Sequence, residues 1–344
     1  MKIIHFGPED IATSWQRIQA LRDLGHQVHT VYYSRIAERV NLTKRIYRSV
    51  RRRIGFPAEQ CAENRTLAEM AAALQPDVVF VEKGLTLRPA TIRQLRYACP
   101  NALLICYSLD DMMNPGNQSR YYLKNLPLYD VHFTNKTYNV PELLSLGARR
   151  VELTGNAYSP HVHRPFAGSE SDKQRFGCEV SFVGGFEYER AQTLNNLAEH
   201  GIPVRVWGNN WDKFRNPHQK LCIEGRPAYG DDYARVVCSS KILLGFLRKV
   251  NRDVETTRTF EIPAFGAFLL AERTEAQESL FQEGIEAEYF SDEVELIDKI
   301  KYYLQNEDKR AAIAAAGRQR CLNSGYSYHD RMEDLLNVIG CTKD

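Results

Sequence analysis

Several features that would assign a protein to a special class are missing from this sequence. The 344 residues contain no run of about 18 apolar side chains, so we expect no membrane-spanning helix. Lys and Arg number 45 and Asp and Glu 43, and the resulting net charge of +2 gives no overall field that would attract nucleic acid. A hydrophobic content of 43% excludes disorder, and at about 100–200 residues per domain the length predicts about two domains with their own cores.

Motifs of the common cofactor and metal sites are missing as well. No GxGxxG, GxxxxGK[ST] or HExxH occurs, which removes the main support for a dinucleotide-dependent dehydrogenase, a P-loop NTPase or a metal-ligand cluster. The eight cysteines form no CxxC pair and several lie in apolar runs, so we expect buried, reduced thiols. The N-terminal MKIIHFG has no signal-peptide pattern. These observations predict a cytoplasmic protein without a bound metal.

Short β-branched strands alternate with helical segments along the whole chain. Strands are predicted at residues 2–6, 27–32, 78–82, 103–107, 131–134 and 151–153, and again at 179–183, 204–207, 242–246 and 268–271. Apolar strands separated by helices predict parallel sheets covered on both faces. Residues 159–176, rich in Pro, Gly and Ser without a sustained period, are predicted to be a linker. The fold class is therefore α/β, with two Rossmann-like doubly wound domains facing across a cleft, at residues 1–158 and 177–325.

The stretch DVETTRTFEIPAFGAFLL, residues 253–270, carries the chemistry of the second domain. Glu261 lies in the first turns of a predicted helix, eight residues after Asp253. Helix N-termini in a doubly wound domain point to the crevice at the carboxyl ends of the strands, where Glu261 can accept hydrogen bonds from a ribose and Arg258 can bind a pyrophosphate. Gly184 and Gly185 follow a strand, so their backbone can approach a phosphate.

Structural alternatives exist for each of these residues. Glu261 also fits a carboxylate that only interacts with the helix dipole, and Arg258 fits an ion pair with Glu255 or Glu261. Asp253 also fits a loop cap, and the Gly-Gly pair a tight turn between a strand and a helix.

The segment RTFEIPAFGAFLLAE resembles the donor-site signature of GT-B glycosyltransferases, in particular the CgeB-like (spore maturation protein) group related to family 4. The R-x-F-E-x-x-x-x-G-x-F-L-L pattern of that group is matched by Arg258, Phe260, Glu261, Gly266, Phe268, Leu269 and Leu270. Further similarity lies in SFVGGFEYER, which includes Arg190, and in VWGNNW, SSKILLGF and SLDDMMNP.

The resemblance implies a nucleotide-sugar donor in the second domain, linked to UDP, GDP or TDP, and no further cofactor. It assigns Glu261 to the ribose and Arg258 with the Gly184–Gly185 turn to the diphosphate. It places Trp207, Gly208, Pro227 or Tyr229 at the border of the base. Asp253 occupies the first acidic position of the E-x7-E pattern, where retaining members usually have Glu. Residues 326–344 are expected to form a helix that crosses back to the first domain.

Candidate acceptor-side residues follow two strands of the first domain. Asp110 and Asp111 come after LLICYS, and one of them could take the proton of an acceptor hydroxyl; as alternatives they cap a helix or bind an ion. Gly7 would let the backbone approach the donor, with Glu9 and Asp10 near the acceptor. His5, inside the first strand, is interpreted as a core histidine.

One basic run breaks the neutral balance of charge. Apolar side chains alternate with six basic residues, Lys44, Arg45, Arg48, Arg51, Arg52 and Arg53. As a helix, this segment fits the surface of an anionic membrane, such as the inner face of the cytoplasmic membrane. No nucleic-acid motif accompanies it, so no nucleic acid is expected as a partner; a solvated segment is the structural alternative.

The sequence thus predicts a hexosyltransferase-type glycosyltransferase that works without a metal. Its acceptor would be a hydroxyl of a glycan, a lipid-linked compound or a protein. Two alternatives share the architecture: a non-hydrolysing sugar-nucleotide epimerase and a catalytically inactive GT-B scaffold protein.

Overall fold

The chain folds into two compact units. The computed structural model describes residues 1–8, 13–33 and 41–340. The first unit contains residues 1–155 together with the C-terminal segment from Tyr328, and the second contains residues 156–327. The segment 159–176, predicted to be a linker, therefore lies within the second unit.

The first unit is built on a six-stranded parallel sheet with the strand order β2-β1-β3-β4-β5-β6. The strands are β1 (Lys2–Gly7), β2 (Gln27–Tyr32), β3 (Val78–Glu82), β4 (Leu103–Ser108), β5 (Val131–Thr134) and β6 (Val151–Leu153). The helices are α1 (Thr13–Asp23), α2 (Leu42–Arg53), α3 (Glu63–Leu74), α4 (Pro89–Ala98), α5 (Arg120–Asn125) and α6 (Asn139–Ser145). Every residue of β3 is buried, as expected for a strand covered on both faces.

The second unit repeats the same architecture with the strand order β12-β11-β10-β7-β8-β9, again parallel throughout. The strands are β7 (Cys178–Val183), β8 (Val204–Trp207), β9 (Leu221–Ile223), β10 (Ser240–Gly245), β11 (Leu269–Glu272) and β12 (Glu288–Phe290). The helices are α7 (Glu170–Phe176), α8 (Tyr188–Glu199), α9 (Gly230–Ser239), α10 (Thr257–Ala264), α11 (Glu275–Leu280), α12 (Glu293–Gln305) and α13 (Glu307–Asn323).

Alternating side chains of the second sheet pack into two different cores. Ile242 and Leu244 of β10 belong to one buried cluster, whereas Leu243 between them belongs to the other. Because successive strand residues point to opposite faces, this division shows that helices cover both faces of the sheet.

The last helix, α14 (Tyr328–Gly340), belongs to the first unit. His329 Nε2 lies 2.8 Å from Asp23 of α1, and Arg17 lies over the ring of Tyr328. No helix in the described part of the chain combines the length and the apolar character that crossing a bilayer requires.

Three elements differ from the sequence-based expectation. Helix α7 lies in the predicted linker because Ser169 and Asp172 form a capping box and Phe176 is buried, although about two turns are too short to show a period. Strands β9 and β12, which lie at the two edges of the second sheet, were not predicted. Cys99, Cys106 and Cys321 are buried as expected, but Cys222 is exposed on the edge strand β9.

Candidate functional site

Helix α10 carries Arg258 and Glu261, the two residues of the signature to which the resemblance assigns contacts with the nucleotide. Thr256 caps the start of the helix, and its backbone N–H donates to Thr259 Oγ1 at 3.1 Å. Arg258 and Glu261 are three residues apart, so their side chains meet on one face of the helix and form an ion pair. Gly266, with φ of +75°, ends the segment and starts the turn into β11.

Glu261 is a buried carboxylate with three polar neighbours. Its Oε2 pairs with Arg258 and accepts a hydrogen bond of 3.1 Å from Tyr233 Oη on α9. Its Oε1 lies 3.7 Å from His163 Nε2. Burial by itself would raise the pKa of Glu261, but the charge of Arg258, with His163 and the two hydrogen bonds, outweighs it and lowers the pKa below the ordinary value. Glu261 is therefore ionised at neutral pH, with Oε2 fully used and Oε1 less so.

His163 approaches Glu261 from the segment that follows the first unit. Its Nδ1 accepts the backbone N–H of Ser159 at 2.8 Å, which leaves the ring hydrogen of the neutral form on Nε2, facing Glu261. Burial lowers the pKa of His163, and the nearby charge of Arg258 acts in the same direction against that of Glu261. The imidazole also packs edge-on against Tyr233 and Phe265, so its orientation is fixed.

Arg258 connects this carboxylate to the end of strand β7. Its Nε donates to the carbonyl of Val183 at 3.1 Å, and its guanidinium lies 4.3 Å from the ring centre of Tyr233. Val183 is the last residue of β7 and directly precedes the Gly184–Gly185 turn. The structure therefore brings Glu261, Arg258 and this turn together, as the sequence predicted; the ion pair that the structural alternative proposed is also present.

The two glycines of the turn have different surroundings. Gly184 N donates to Trp207 O, and a Cβ placed at Gly208 would lie 1.8 Å from Gly184 O, so the loops after β7 and β8 are in direct backbone contact. Trp211 Nε1 also donates to Gly184 O, at 2.9 Å. A Cβ at Gly185, in contrast, would have no neighbour within 4 Å. Gly208 is thus explained by packing, whereas Gly185 faces open space.

The two aromatic candidates for the nucleotide base have opposite exposures. Trp207 is 0% exposed and packs within the core of the second unit, so its side chain does not border a base, and this prediction is wrong. Tyr229, directly before α9, is 50% exposed and remains a candidate, as Gly208 does through its backbone.

A cavity of about 370 Å³ lies where the order of strands reverses, at the carboxyl ends of β7 and β10. Its walls come from residues 187–190, from the loop after β10 and from Glu272 at the end of β11. In open α/β sheets this reversal point is where ligands bind. Burial, opposed by the N–H of Leu247 and by Arg190, raises the pKa of Glu272. Asp253 lies in the loop that leads from β10 to α10, half-buried, and accepts a hydrogen bond of 2.7 Å from Asn251 Nδ2.

Arg190 fixes the two loops that border this cavity. Its guanidinium donates to Gly185 O at 2.7 Å and to Leu247 O at 3.3 Å, and packs over Phe182. From the sequence we predicted no role for Arg190, Glu272, Tyr233 or His163. Glu272 could have been predicted as a site residue, because it is a carboxylate directly after an apolar strand. No sequence pattern distinguishes Tyr233 or His163 in this way.

In the first unit the paired acids after β4 have separate environments. Asp110 is half-buried and pairs with Lys83, the residue that follows β3. Asp111 is buried, and its Oδ1 accepts from Met113 N and from Asn139 Nδ2, each at 3.0 Å. No helix begins at either aspartate, so neither is a helix cap; Asp111 instead stabilises the turn after β4 and its contact with Asn139, which leaves Asp110 as the candidate base.

The end of β1 is tightly packed. A Cβ at Gly7 would lie 2.4 Å from His5 Cε1, so the glycine is required by its own neighbours. His5 is buried as predicted, and it shares Glu82 Oε1 with Arg17, each at 2.8 Å. Glu9 and Asp10, predicted to lie near the acceptor, are outside the described residues.

Comparison with known proteins gives one partial family match. Residues 190–337 match the sequence model of a family described as glycosyl transferase-like. A search of curated proteins finds no match.

Solved structures of similar fold cover the whole chain. HepE (Alr3699) from Anabaena, solved in complex with UDP and glucose, has a TM-score of 0.68 at 12% identity over 99% of this chain and 100% of its own. Sucrose-phosphate synthase from Thermosynechococcus elongatus gives 0.66 at 11% identity, over 100% of both chains. A putative UDP-N-acetylglucosamine 2-epimerase from Listeria monocytogenes gives 0.56 at 12% identity, over 98% of this chain and 95% of its own. The protein thus has the GT-B architecture of two Rossmann-like domains, and its residues 190–337 match the glycosyl transferase-like family.

Proposed function

We propose that the protein is a glycosyltransferase of hexosyltransferase type, which transfers a sugar from a nucleotide-sugar donor in the second unit to an acceptor hydroxyl. The observation that carries the proposal is the ion pair of Glu261 and Arg258 at the end of β7, directly beside the Gly184–Gly185 turn. A fixed carboxylate, a guanidinium and the open glycine Gly185 supply three groups that a nucleoside diphosphate needs: an acceptor for ribose hydroxyls, a positive charge and a backbone N–H donor.

In this proposal Glu261 binds the ribose through Oε1, the oxygen that Arg258 and Tyr233 leave available. Arg258 and the N–H of Gly185 face the diphosphate, and Tyr229 borders the base. UDP is the first candidate nucleotide because HepE was solved with UDP and with UDP-glucose, while GDP and TDP remain to be compared. Asp253 is the candidate contact to the sugar, close to the cavity at the reversal point.

The reaction breaks the bond between the anomeric carbon and the diphosphate oxygen and forms one between that carbon and the acceptor oxygen. The nucleoside diphosphate leaves with the bonding electrons, and Arg258 with the N–H of Gly185 stabilises its developing charge. Asp110, held by Lys83, is the candidate that accepts the proton of the hydroxyl, whether the acceptor is a glycan, a lipid-linked compound or a protein. No metal is invoked for these steps.

Nucleotide binding is the first test. UDP, GDP, TDP and CMP are compared by the shift they cause in thermal unfolding, because a ligand at 100 times its Kd adds about 2.7 kcal/mol of stability. The site is tested with Glu261→Gln, which keeps the shape of the side chain and removes its charge. Loss of a hydrogen bond to a charged group corresponds to roughly 10- to 100-fold weaker UDP binding.

Glu224→Gln provides the matched control, since Glu224 also accepts from an arginine of the second unit, Arg205, at 2.6 Å, but lies outside the candidate site. We expect this control to bind UDP like the unmodified protein. Stabilisation by none of the four nucleotides, or equal affinity of the two variants, would refute the donor-site assignment.

A non-hydrolysing epimerase is the second candidate, favoured by the similarity of fold to the putative 2-epimerase. Incubation with UDP-N-acetylglucosamine alone, followed by NMR, distinguishes the two functions. An epimer formed without acceptor supports the epimerase, and sugar transfer to an acceptor with release of UDP supports the transferase. A catalytically inactive scaffold would give neither product.

A further inference from the structure

Helix α2 differs from an ordinary surface helix because none of its twelve residues is buried. A helix of this length is marginally stable alone, and most helices in proteins are held by packing of their apolar face. Five large apolar side chains in and just after α2 are instead 50% to 65% exposed, namely Leu42, Ile46, Tyr47, Val50 and Ile54. The helix therefore presents an apolar surface to its surroundings.

Charge and apolarity occupy opposite sides of α2. Leu42, Ile46, Val50 and Ile54 follow one another at intervals of four residues, which places them on one side of a helix with 3.6 residues per turn. Five of the six basic side chains lie on the other side, at positions 44, 45, 48, 51 and 52, whereas Arg53 lies beside the apolar row. No acidic residue occurs between positions 41 and 58. This is the pattern of a helix that lies in the plane of a membrane interface.

The structure caps the start of α2 and attaches its end to the first unit. Asn41 accepts the backbone N–H of Lys44 at 3.0 Å and so caps the first turn. At the other end Arg51 donates to Tyr121 Oη at 2.9 Å, and Phe56 packs edge-on against the same tyrosine. Because Tyr121 belongs to α5, the exposed helix is attached to the first unit and is not a solvated loop.

We propose that α2 binds the surface of an anionic lipid bilayer, with its apolar side among the acyl chains and its basic side toward the headgroups. Anionic lipid complements both sides of the helix. Nucleic acid would neutralise the basic side and leave the apolar side in water. Binding would bring the first unit to the membrane, and it does not depend on whether the second unit binds a sugar nucleotide.

The test is co-sedimentation of the full chain with vesicles of phosphatidylcholine, with and without phosphatidylglycerol. The charge variant replaces three basic residues by glutamine, Lys44, Arg45 and Arg52. The control variant removes the same charge from exposed positions elsewhere, Arg93, Lys213 and Lys301. Three basic residues at a membrane surface correspond to a roughly 100-fold change in partitioning. We expect that loss for the charge variant and none for the control.

A second variant, Ile46→Gln with Val50→Gln, tests the apolar side without changing the charge. It should weaken binding by more than about tenfold, because each aliphatic side chain contributes through its buried area. Both substitutions are at exposed positions, so the thermal unfolding of the variants should match that of the original chain.

Three outcomes would overturn the proposal. The first is sedimentation that does not depend on phosphatidylglycerol, and the second is equal binding by the charge and control variants. The third is unchanged binding of the Ile46→Gln, Val50→Gln variant together with tight, salt-dependent binding of duplex RNA, which would assign the basic side to nucleic acid. Failure of nucleotide binding in the second unit affects none of these measurements.

Discussion

The hydrogen bond from Tyr233 to Glu261 allows the site to be tested without removing a charge. Tyr233→Phe deletes the hydroxyl that donates to Glu261 Oε2 at 3.1 Å and keeps the ring that packs against His163, Phe265 and Arg258. A hydrogen bond to a charged group contributes about 1.5–3 kcal/mol to stability. For a unit of this size, about 2 kcal/mol lowers Tm by roughly 4–8 °C.

The effect on ligand binding follows from the same contact. Without the hydroxyl, only Arg258 holds Oε2, so the carboxylate is less well oriented toward a ribose. We expect UDP to bind about three- to tenfold more weakly, equivalent to about 0.7–1.4 kcal/mol. Isothermal titration calorimetry measures this change, and urea unfolding measures the loss of stability.

Tyr303→Phe is a closely matched control. Tyr303 donates to the buried Glu288 at 2.6 Å, in the same unit but outside the candidate site, and Lys299 keeps the other carboxylate oxygen paired. Both variants should lose similar stability, and only Tyr233→Phe should lose UDP affinity. Equal loss of affinity in both would show that the effect is general destabilisation, and unchanged stability of Tyr233→Phe would refute the hydrogen bond itself.

Three further predictions concern the glycine turn, pH and metal. Gly208→Ala should lower the free energy of unfolding by at least about 1–3 kcal/mol, because its Cβ would meet Gly184 O. Gly185→Ala should have the same thermal stability as the original chain and bind UDP more weakly, because its Cβ would enter the open space of the candidate site. The pKa of His163 is lowered from 6.5 in the folded state, so the unfolded chain takes up its proton first and stability should fall as pH drops below about 6.5; urea unfolding of His163→Phe should lack this component. The pKa of Glu261 is lowered from 4.5, so its contribution to the free energy of unfolding should be lost only as the pH falls below about 4.5. Below that pH the Glu261→Gln variant should lose less stability than the original chain. Sugar transfer should be unaffected by EDTA, and restoration by Mg²⁺ or Mn²⁺ after its loss would contradict a metal-independent reaction.

The sheets could be predicted from the sequence because their strands are short segments rich in β-branched and apolar residues, separated by helical segments. Residues 78–82, 131–134, 151–153 and 204–207 match β3, β5, β6 and β8 at both ends. Helix α7 and strands β9 and β12 escaped prediction because they are held by a cap or by neighbouring strands and not by a pattern of their own. The local sequence pattern therefore indicates ten of the twelve strands in the described residues, including the short edge strand β6, and pairing with a neighbouring strand explains β9 and β12.

Some contacts within the candidate site could be predicted from the sequence and others could not. Arg258 and Glu261 could be paired in advance because a helix brings residues three apart together. Asp111 could not be distinguished from Asp110, since only the fold shows that Asn139 satisfies one and Lys83 the other. Spacing within one helix thus predicts the partner of a side chain, whereas the partners of residues in a loop depend on the fold.

Trp207 shows why exposure at the end of a strand was not predictable. In a sheet with one wet face, the alternation of polar and apolar residues tells which side chains are buried. Both faces of the second sheet are covered, and Val206 and Trp207, which point in opposite directions, are equally buried. The period therefore carries no information on whether the last aromatic residue of β8 lies in the core or at the rim. Only the glycine after it, pressed against Gly184 O, locates the point where the strand ends and the candidate donor site begins.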